Sequence, residues 1–378
     1  MRVAFVSNVV YPFNTGGAEK RIHEIGTRLA DMGHDITIYG RHFWDGPKEI
    51  THEGMTLRAV SPEHELYTGS DGERSITEAL NFAKDVVIPL RRRLDEHDVI
   101  VASVFPYFPV LAAQLSTLGK KTPIVTTWHE VWRSYWEEYL GALATFGKIV
   151  ERLTARVPQY PIAVSGLTAD RLAKLGTERA RVRTVPNGID YASIRETPPA
   201  DHGFDVLFAG RLISDKRVDI LLNAFDRGAP ADATLGIVGD GPKRDALEMQ
   251  AQTLDSSHQI TFLGFLDEYE EVLEQMRAAS VFVSPSTREG FGITAVEAMA
   301  AGCTVIGADH PDSAVDEVVD NAGFLANPTA ADVAPVLERA LRGKQPSTEP
   351  QTRAKEFDWD RVAESALEAY TAAVTRDW

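Results

Sequence analysis

Short apolar runs alternate along this chain with longer stretches whose apolar positions recur at helical spacing. Runs of the first kind suit strands buried on both faces, and stretches of the second suit helices that cover a sheet with one stripe. Strands are expected at 3–7, 35–39, 56–60, 99–103, 124–127, 162–164 and 182–185 in the first half. A second series follows at 205–209, 235–238, 260–263, 281–283 and 304–306, then a hairpin or short strand at 323–326. The chain closes with a helix at 331–342 and a last one reaching about residue 374, for which Asp358 or Asp360 is the expected cap. Such alternation predicts an α/β fold with doubly wound parallel sheets, helices lying on both faces. The pattern pauses at Pro186-Asn187-Gly188-Ile189-Asp190 and in the polar stretch 195–203, which holds Pro198-Pro199, so the domain boundary is placed there.

In doubly wound sheets, ligands bind beyond the carboxyl ends of the strands. The unusual loops of this chain all occupy such positions. After the first strand, Asn14-Thr15-Gly16-Gly17-Ala18-Glu19-Lys20 puts a glycine pair at a helix start, where backbone N–H groups can approach an anion. After the first strand of the second series, Gly210-Arg211-Leu212-Ile213-Ser214-Asp215-Lys216-Arg217 sets a guanidinium fork and a mobile ammonium beside another helix start, a pairing suited to phosphate oxygens. The next strand ends in Gly239-Asp240-Gly241-Pro242, either a tight turn or a place where a ligand meets bare backbone. The run 281–285 leads into Arg288-Glu289-Gly290-Phe291-Gly292-Ile293-Thr294-Ala295-Val296-Glu297, with Glu289 in a loop and Glu297 on the packed face of a helix. An ionised group on such a face needs a partner.

Taken together, Gly16-Gly17-Ala18-Glu19, Pro186-Asn187-Gly188-Ile189-Asp190, Gly210-Arg211-Leu212 with Lys216, Gly239-Asp240-Gly241-Pro242 and Glu289-Gly290-Phe291-Gly292 to Glu297 resemble a retaining glycosyltransferase of family 4. The resemblance covers essentially the whole chain. It implies the GT-B architecture, two Rossmann-like domains facing across a cleft: an acceptor-side domain at 1–190, a donor-side domain at 191–356, and a terminal segment at 357–378 packing back on the first. It further implies that Arg211 and Lys216 grip the diphosphate of a nucleotide sugar and that Glu289 binds hydroxyls of the donor sugar. Glu297 would bind the ribose, with Gly210, Gly239, Gly241, Gly290, Phe291 and Gly292 close to the donor and Gly16 and Gly17 meeting its diphosphate. His129, after the strand 124–127, would stand beside the transferred sugar. No metal and no cofactor other than the donor substrate is implied.

Among the rivals, a glycoside hydrolase would also use two carboxylates, but it leaves Arg211, Lys216 and the glycine loops without a role. A nucleotide-sugar epimerase of GT-B fold fits the architecture but not the glutamate spacing, and a donor-binding protein without transfer activity would keep the same pocket. His129-Glu130 opens a metalloprotease-like pattern, yet Arg133 stands where its second histidine would be. Trp132, Tyr135 and Trp136 lie in an aromatic run beside His129, and aromatic faces suit sugar stacking or a lipid interface. An acceptor site, a peripheral membrane contact and a packed helix start are the three readings of that run. Neither the nucleotide base, the sugar nor the acceptor is legible.

At 378 residues the chain has room for two domains. Its 44% hydrophobic and 25% charged residues are ordinary for a soluble protein, no apolar run is long enough for a membrane helix, and the strand at the start reads unlike a signal peptide. A cytoplasmic protein, working at most against the inner face of the membrane, is the expectation. The single cysteine, Cys303, opens an apolar run and reads as a buried thiol. Acidic residues outnumber basic ones 55 to 39, of which only 11 are lysine, so nucleic acid is not an expected partner. A charge of −16 repels itself unless screened, which points to a halophilic protein in a salty cytoplasm. Its melting temperature should therefore rise from low to molar salt, and a flat or falling response in a thermal scan would remove that reading.

Overall fold

The structure is a computed structural model that describes residues 1–14, 16–64 and 76–378. Contacts divide the chain into two units, one of residues 1–186 with 360–378 and the other of residues 187–359. Both are α/β units built on parallel sheets.

The first sheet contains β1 (Arg2–Val6), β2 (Asp35–His42), β3 (Glu49–His52), β4 (Met55–Pro62), β5 (Val99–Ser103), β6 (Ile124–Trp128), β7 (Tyr160–Ala163) and β8 (Arg183–Thr184). Their order is β3-β4-β2-β1-β5-β6-β7-β8, all parallel except β3 against β4. Central strands such as β5 are buried at every position, which is why they read as unbroken apolar runs. The β3 strand is the element that the apolar pattern does not predict. It is short, half polar and at the edge, and it turns into β4 through Glu53 and Gly54, both at positive φ (46° and 77°).

Helix Ile76–Arg92 is fastened to the carboxyl ends of β2 and β4 by an ion pair sealed from water. Arg41 Nε donates to Glu78 at 2.7 Å with both side chains 1% exposed, and Arg41 also donates to Ser61 Oγ and the Pro62 carbonyl, both at 2.9 Å. Removing one member of such a pair strands the other, at a cost of roughly 3–5 kcal/mol. The last helix, Trp359–Thr375, covers the same sheet, with Tyr370 edge-on to Phe5 of β1 at 6.3 Å. Asp358 directly precedes that helix, and its carboxylate accepts from the Tyr191 N–H at 3.3 Å. Asp360, the other cap candidate, lies inside the first turn and instead pairs with Arg28 at 2.6 Å.

The second sheet contains β9 (Val206–Ala209), β10 (Leu235–Val238), β11 (Ile260–Gly264), β12 (Val281–Ser284), β13 (Thr304–Ala308) and β14 (Gly323–Ala326). It is wholly parallel, in the order β11-β10-β9-β12-β13-β14, so residues 323–326 form a sheet strand on β13 and no hairpin. The chain first winds from β9 outward to β11, then returns to place β12 on the other side of β9. The order reverses between β9 and β12, and the loops that follow them diverge there and leave a crevice. In the first sheet the equivalent reversal falls between β1 and β5.

Candidate functional site

The loop after β9 carries Gly210, Arg211 and Lys216, and the loop after β12 carries Glu289. Although 73 positions separate them in sequence, Lys216 Nζ donates to Glu289 Oε1 across the crevice, with side chains 22% and 15% exposed. The Lys216 stem runs back past Gly210, within ordinary van der Waals reach of where a Cβ there would sit. Around this pair the backbone ties the loops together. The Thr287 N–H donates to the Asp215 carbonyl at 2.9 Å, and Arg288 faces Asp215 at 3.6 Å. On its far side the Glu289 N–H donates to the Asp312 carbonyl at 3.2 Å and its carbonyl accepts from Ala314 N–H at 3.0 Å. Glu289 is thus held from both flanks.

Gly239, at the end of β10, has φ +125°, and any Cβ there would collide with the Gly210 carbonyl oxygen. The glycine is what allows the loops after β9 and β10 to pass backbone against backbone. Gly241 passes the Leu212 carbonyl in the same way. Gly292 has φ +90° just before helix Ile293–Ala301, where a Cβ would approach Val315 Cγ2 to 2.8 Å. The side chain of Phe291 is buried edge-on to Phe357 at 5.5 Å, so only its backbone and that of Gly290 can face the crevice. Arg211 is exposed and forms no ion pair among the described residues.

Glu297, 6% exposed on the helix Ile293–Ala301, accepts a hydrogen bond from the Tyr269 hydroxyl. Burial of that hydroxyl and the neighbouring carboxylate push the phenol far above its ordinary range, so it remains a donor. Tyr269 escapes sequence reading because it opens its own helix, Tyr269–Ala278, with nothing local to mark it. Two further groups were not predicted. The hydroxyls of Ser286 and Ser313, 1% and 2% exposed, have no hydrogen-bond partner among the described residues and flank the Glu289 loop. A buried hydroxyl calls for a partner, and the described residues supply none to these two.

In the first unit, Gly16 precedes helix Gly17–Asp31, at the strand-order reversal as the loop position predicts. The side chain of Glu19 folds back over Gly16, so a carboxylate of the protein itself occupies that helix start. Gly17 faces open space. Thr15 of this loop lies outside the described residues. His129 directly follows β6 and is half-buried; desolvation and then the Arg21 cation lower its pKa to about 3. Arg21, itself 3% exposed, donates to the carbonyls of Val185, at 3.1 Å, and Pro186.

The aromatic run divides. Trp136 is 5% exposed and belongs to the core, against Tyr107 at 5.6 Å, so its ring cannot serve as a surface platform. Trp132 packs at a tilt against Phe105, ring centres 4.8 Å apart, and keeps partial exposure, as does Tyr135. Their segment is anchored by the buried carboxylate of Glu151, which accepts from Trp132 N–H at 2.7 Å, Arg133 N–H at 3.1 Å and the Tyr107 hydroxyl at 2.9 Å.

Comparison with known proteins gives these loops a context. The family profile "Glycosyltransferase Family 4" matches residues 15–193, and "Glycosyl transferases group 1" matches residues 192–357. The chain is similar to a glycogen synthase of Mycobacterium tuberculosis, 28% identical over 99% of this chain and 95% of that protein. It is also similar to a phosphatidyl-myo-inositol mannosyltransferase of Mycolicibacterium smegmatis, 28% identical over 98% of this chain and 93% of that protein. Its fold matches that of a sucrose-phosphate synthase from Thermosynechococcus elongatus, with TM-score 0.76, 20% identity and 99% of each chain covered.

Because His129 titrates near 3 in the folded protein and near 6.5 unfolded, both states are neutral above pH 6.5. Below it only the unfolded chain takes the proton, so folding should lose roughly 1.4 kcal/mol per pH unit from this residue as pH falls toward 3. Proton NMR should show a His129 ring signal that does not move between about pH 8 and 5, and His129→Gln should flatten the acid limb of stability in denaturant melts. A His129 resonance titrating near 6.5 would contradict the placement.

Proposed function

The chain belongs to the family 4 glycosyltransferases, and from that premise we propose that it moves a hexose from a nucleotide diphosphate sugar to a glycan, lipid-linked or small-molecule acceptor with retention of anomeric configuration. The observation that carries this reading is the convergence of Lys216 and Glu289 at the strand-order reversal of the second sheet, beside the exposed Arg211. A cation pair next to a hydroxyl-binding carboxylate suits one kind of ligand, a diphosphate ester of a sugar. Before the donor enters, Lys216 and Glu289 neutralise each other. On binding they part, the ammonium turning to phosphate oxygens and the carboxylate to sugar hydroxyls.

The hard step is cleavage of the anomeric C–O bond, whose electrons pass to the departing diphosphate. Arg211 and Lys216 stabilise that charge as it grows, which is where preorganised electrostatics contribute most. The acceptor oxygen forms its new bond on the face the phosphate leaves, and the acceptor proton passes to a phosphate oxygen. No side chain serves as nucleophile in this scheme, and no metal or further cofactor is assigned to it. Glu297, already held by Tyr269, binds the ribose. The resemblance assigns Gly16, Gly17 and His129 to the donor as well, and burial keeps the His129 imidazole neutral. Trp132 and Tyr135 contribute to acceptor binding, with Trp136 supporting them from the core. The relatives' names span both a glycan synthase and a phosphatidylinositol mannosyltransferase, so polysaccharide and glycolipid synthesis are the two processes the reading supports.

Incubation with UDP, GDP and ADP sugars should yield nucleoside diphosphate only when an acceptor is present. Arg211→Ala and Lys216→Ala should each lower kcat/KM by about a hundred- to a thousandfold, roughly 3–4 kcal/mol, with circular dichroism unchanged. Release without any acceptor would indicate a hydrolase, and tight binding without release a binding protein.

A further inference from the structure

Helix Ala144–Arg156 of the first unit presents a face that folding leaves uncovered. Gly147, Val150, Glu151, Thr154 and Ala155 point into the core. On the opposite side Phe146, Ile149 and Leu153 are 44%, 51% and 54% exposed and share one stripe by their spacing. Lys148, Arg152 and Arg156, each four residues from the next, form a cationic row along the edge of that stripe. Lys148 is neutralised by Glu137 at 2.5 Å, whereas Arg152 and Arg156 form no ion pair among the described residues. Leu115 and Leu118 of the same unit are also exposed, at 55% and 56%, and Leu118 and Arg156 line one cavity of about 700 Å³.

A contiguous exposed patch of large apolar side chains marks an interaction surface. The charge beside it narrows the partner. A chain of net charge −16 is repelled by an anionic surface unless it turns its cations toward it, and here two unpaired arginines border the apolar stripe. A helix that sets apolar side chains next to a basic row is the pattern that lies in a lipid interface, its apolar face among the acyl chains and its cations at the headgroups. We propose that helix Ala144–Arg156 docks the protein on a bilayer containing anionic phospholipid. This deepens the acceptor reading above, since it presents the first unit to lipid, but the docking itself does not depend on transfer.

The test is flotation of the full chain with phosphatidylcholine vesicles, with and without phosphatidylglycerol, at low and high salt. Wild type should float with the anionic vesicles and not the neutral ones. Phe146→Ser/Ile149→Ser/Leu153→Ser should reduce the bound fraction roughly tenfold or more, and Arg152→Glu/Arg156→Glu should abolish the preference for phosphatidylglycerol. All five positions are exposed and none belongs to the donor site, so melting temperature and nucleotide-sugar binding should be unchanged in both variants. Equal flotation with both vesicle types, or undiminished binding by the triple variant, would overturn the proposal. So would light scattering that shows a wild-type dimer made monomeric by the serines with no vesicle binding, since the face would then join two copies of the chain. Loss of transfer with vesicle binding intact would count against the transferase reading alone.

Discussion

What most of the second unit is arranged around is a topological constraint: a parallel sheet that winds outward from β9 and then resumes on its other side at β12 must leave two neighbouring loops that part company. Nothing in the regular hydrogen-bonding of the sheet fills the gap between them. Here it is bridged by opposite charges, Lys216 from one loop and Glu289 from the other, with backbone hydrogen bonds from 287 to 215 and from 289 to 312 holding the frame. The glycine at 239 is required because the Gly210 backbone comes too close for a side chain, and the one at 292 because it sits at φ +90° against the Val315 side chain. The same constraint that shapes the loops therefore concentrates charge in them.

An ion pair in such a place is not chiefly a stabilising device. Both side chains are largely withdrawn from water, so the desolvation of each offsets much of their attraction. On the proposed function its value is that both groups are held ready to exchange partners, Lys216 for phosphate oxygens and Glu289 for sugar hydroxyls. The pair formed by Arg41 and Glu78 is a contrast: it is 1% exposed, fully hydrogen-bonded, and fixes a helix to a sheet with no room for exchange. Two pairs of the same chemistry thus serve different ends, and access to the crevice distinguishes them.

Much of this was legible in the sequence, and for physical reasons. Strands buried on both faces must be apolar throughout, so β5, β6, β10 and β12 stand out, and the glycine-rich or charged loops after β1, β9, β10 and β12, with His129 after β6, are candidates for ligand binding from the sequence alone. What could not be read depends on which strands become neighbours. Lys216 and Glu289 meet only because β12 pairs with β9, a non-local choice that no local spacing encodes. Tyr269 reaches Glu297 from another helix for the same reason. Trp136 looked like its neighbours Trp132 and Tyr135 in a run of aromatics, but helix phase turned it inward, and Gly147 leaves the space its ring fills. The β3 strand leaves no apolar signal because an edge strand need not be apolar.

The central claim is that the loops after β9 and β12 form one nucleotide-sugar site. Hydrogen–deuterium exchange with and without UDP, GDP and ADP tests it most directly, because binding to the folded state must slow exchange where the ligand sits. The account predicts that the nucleotide that binds slows exchange in segments 210–217 and 285–297 together. Protection confined to other segments, or in one of these loops without the other, would contradict it.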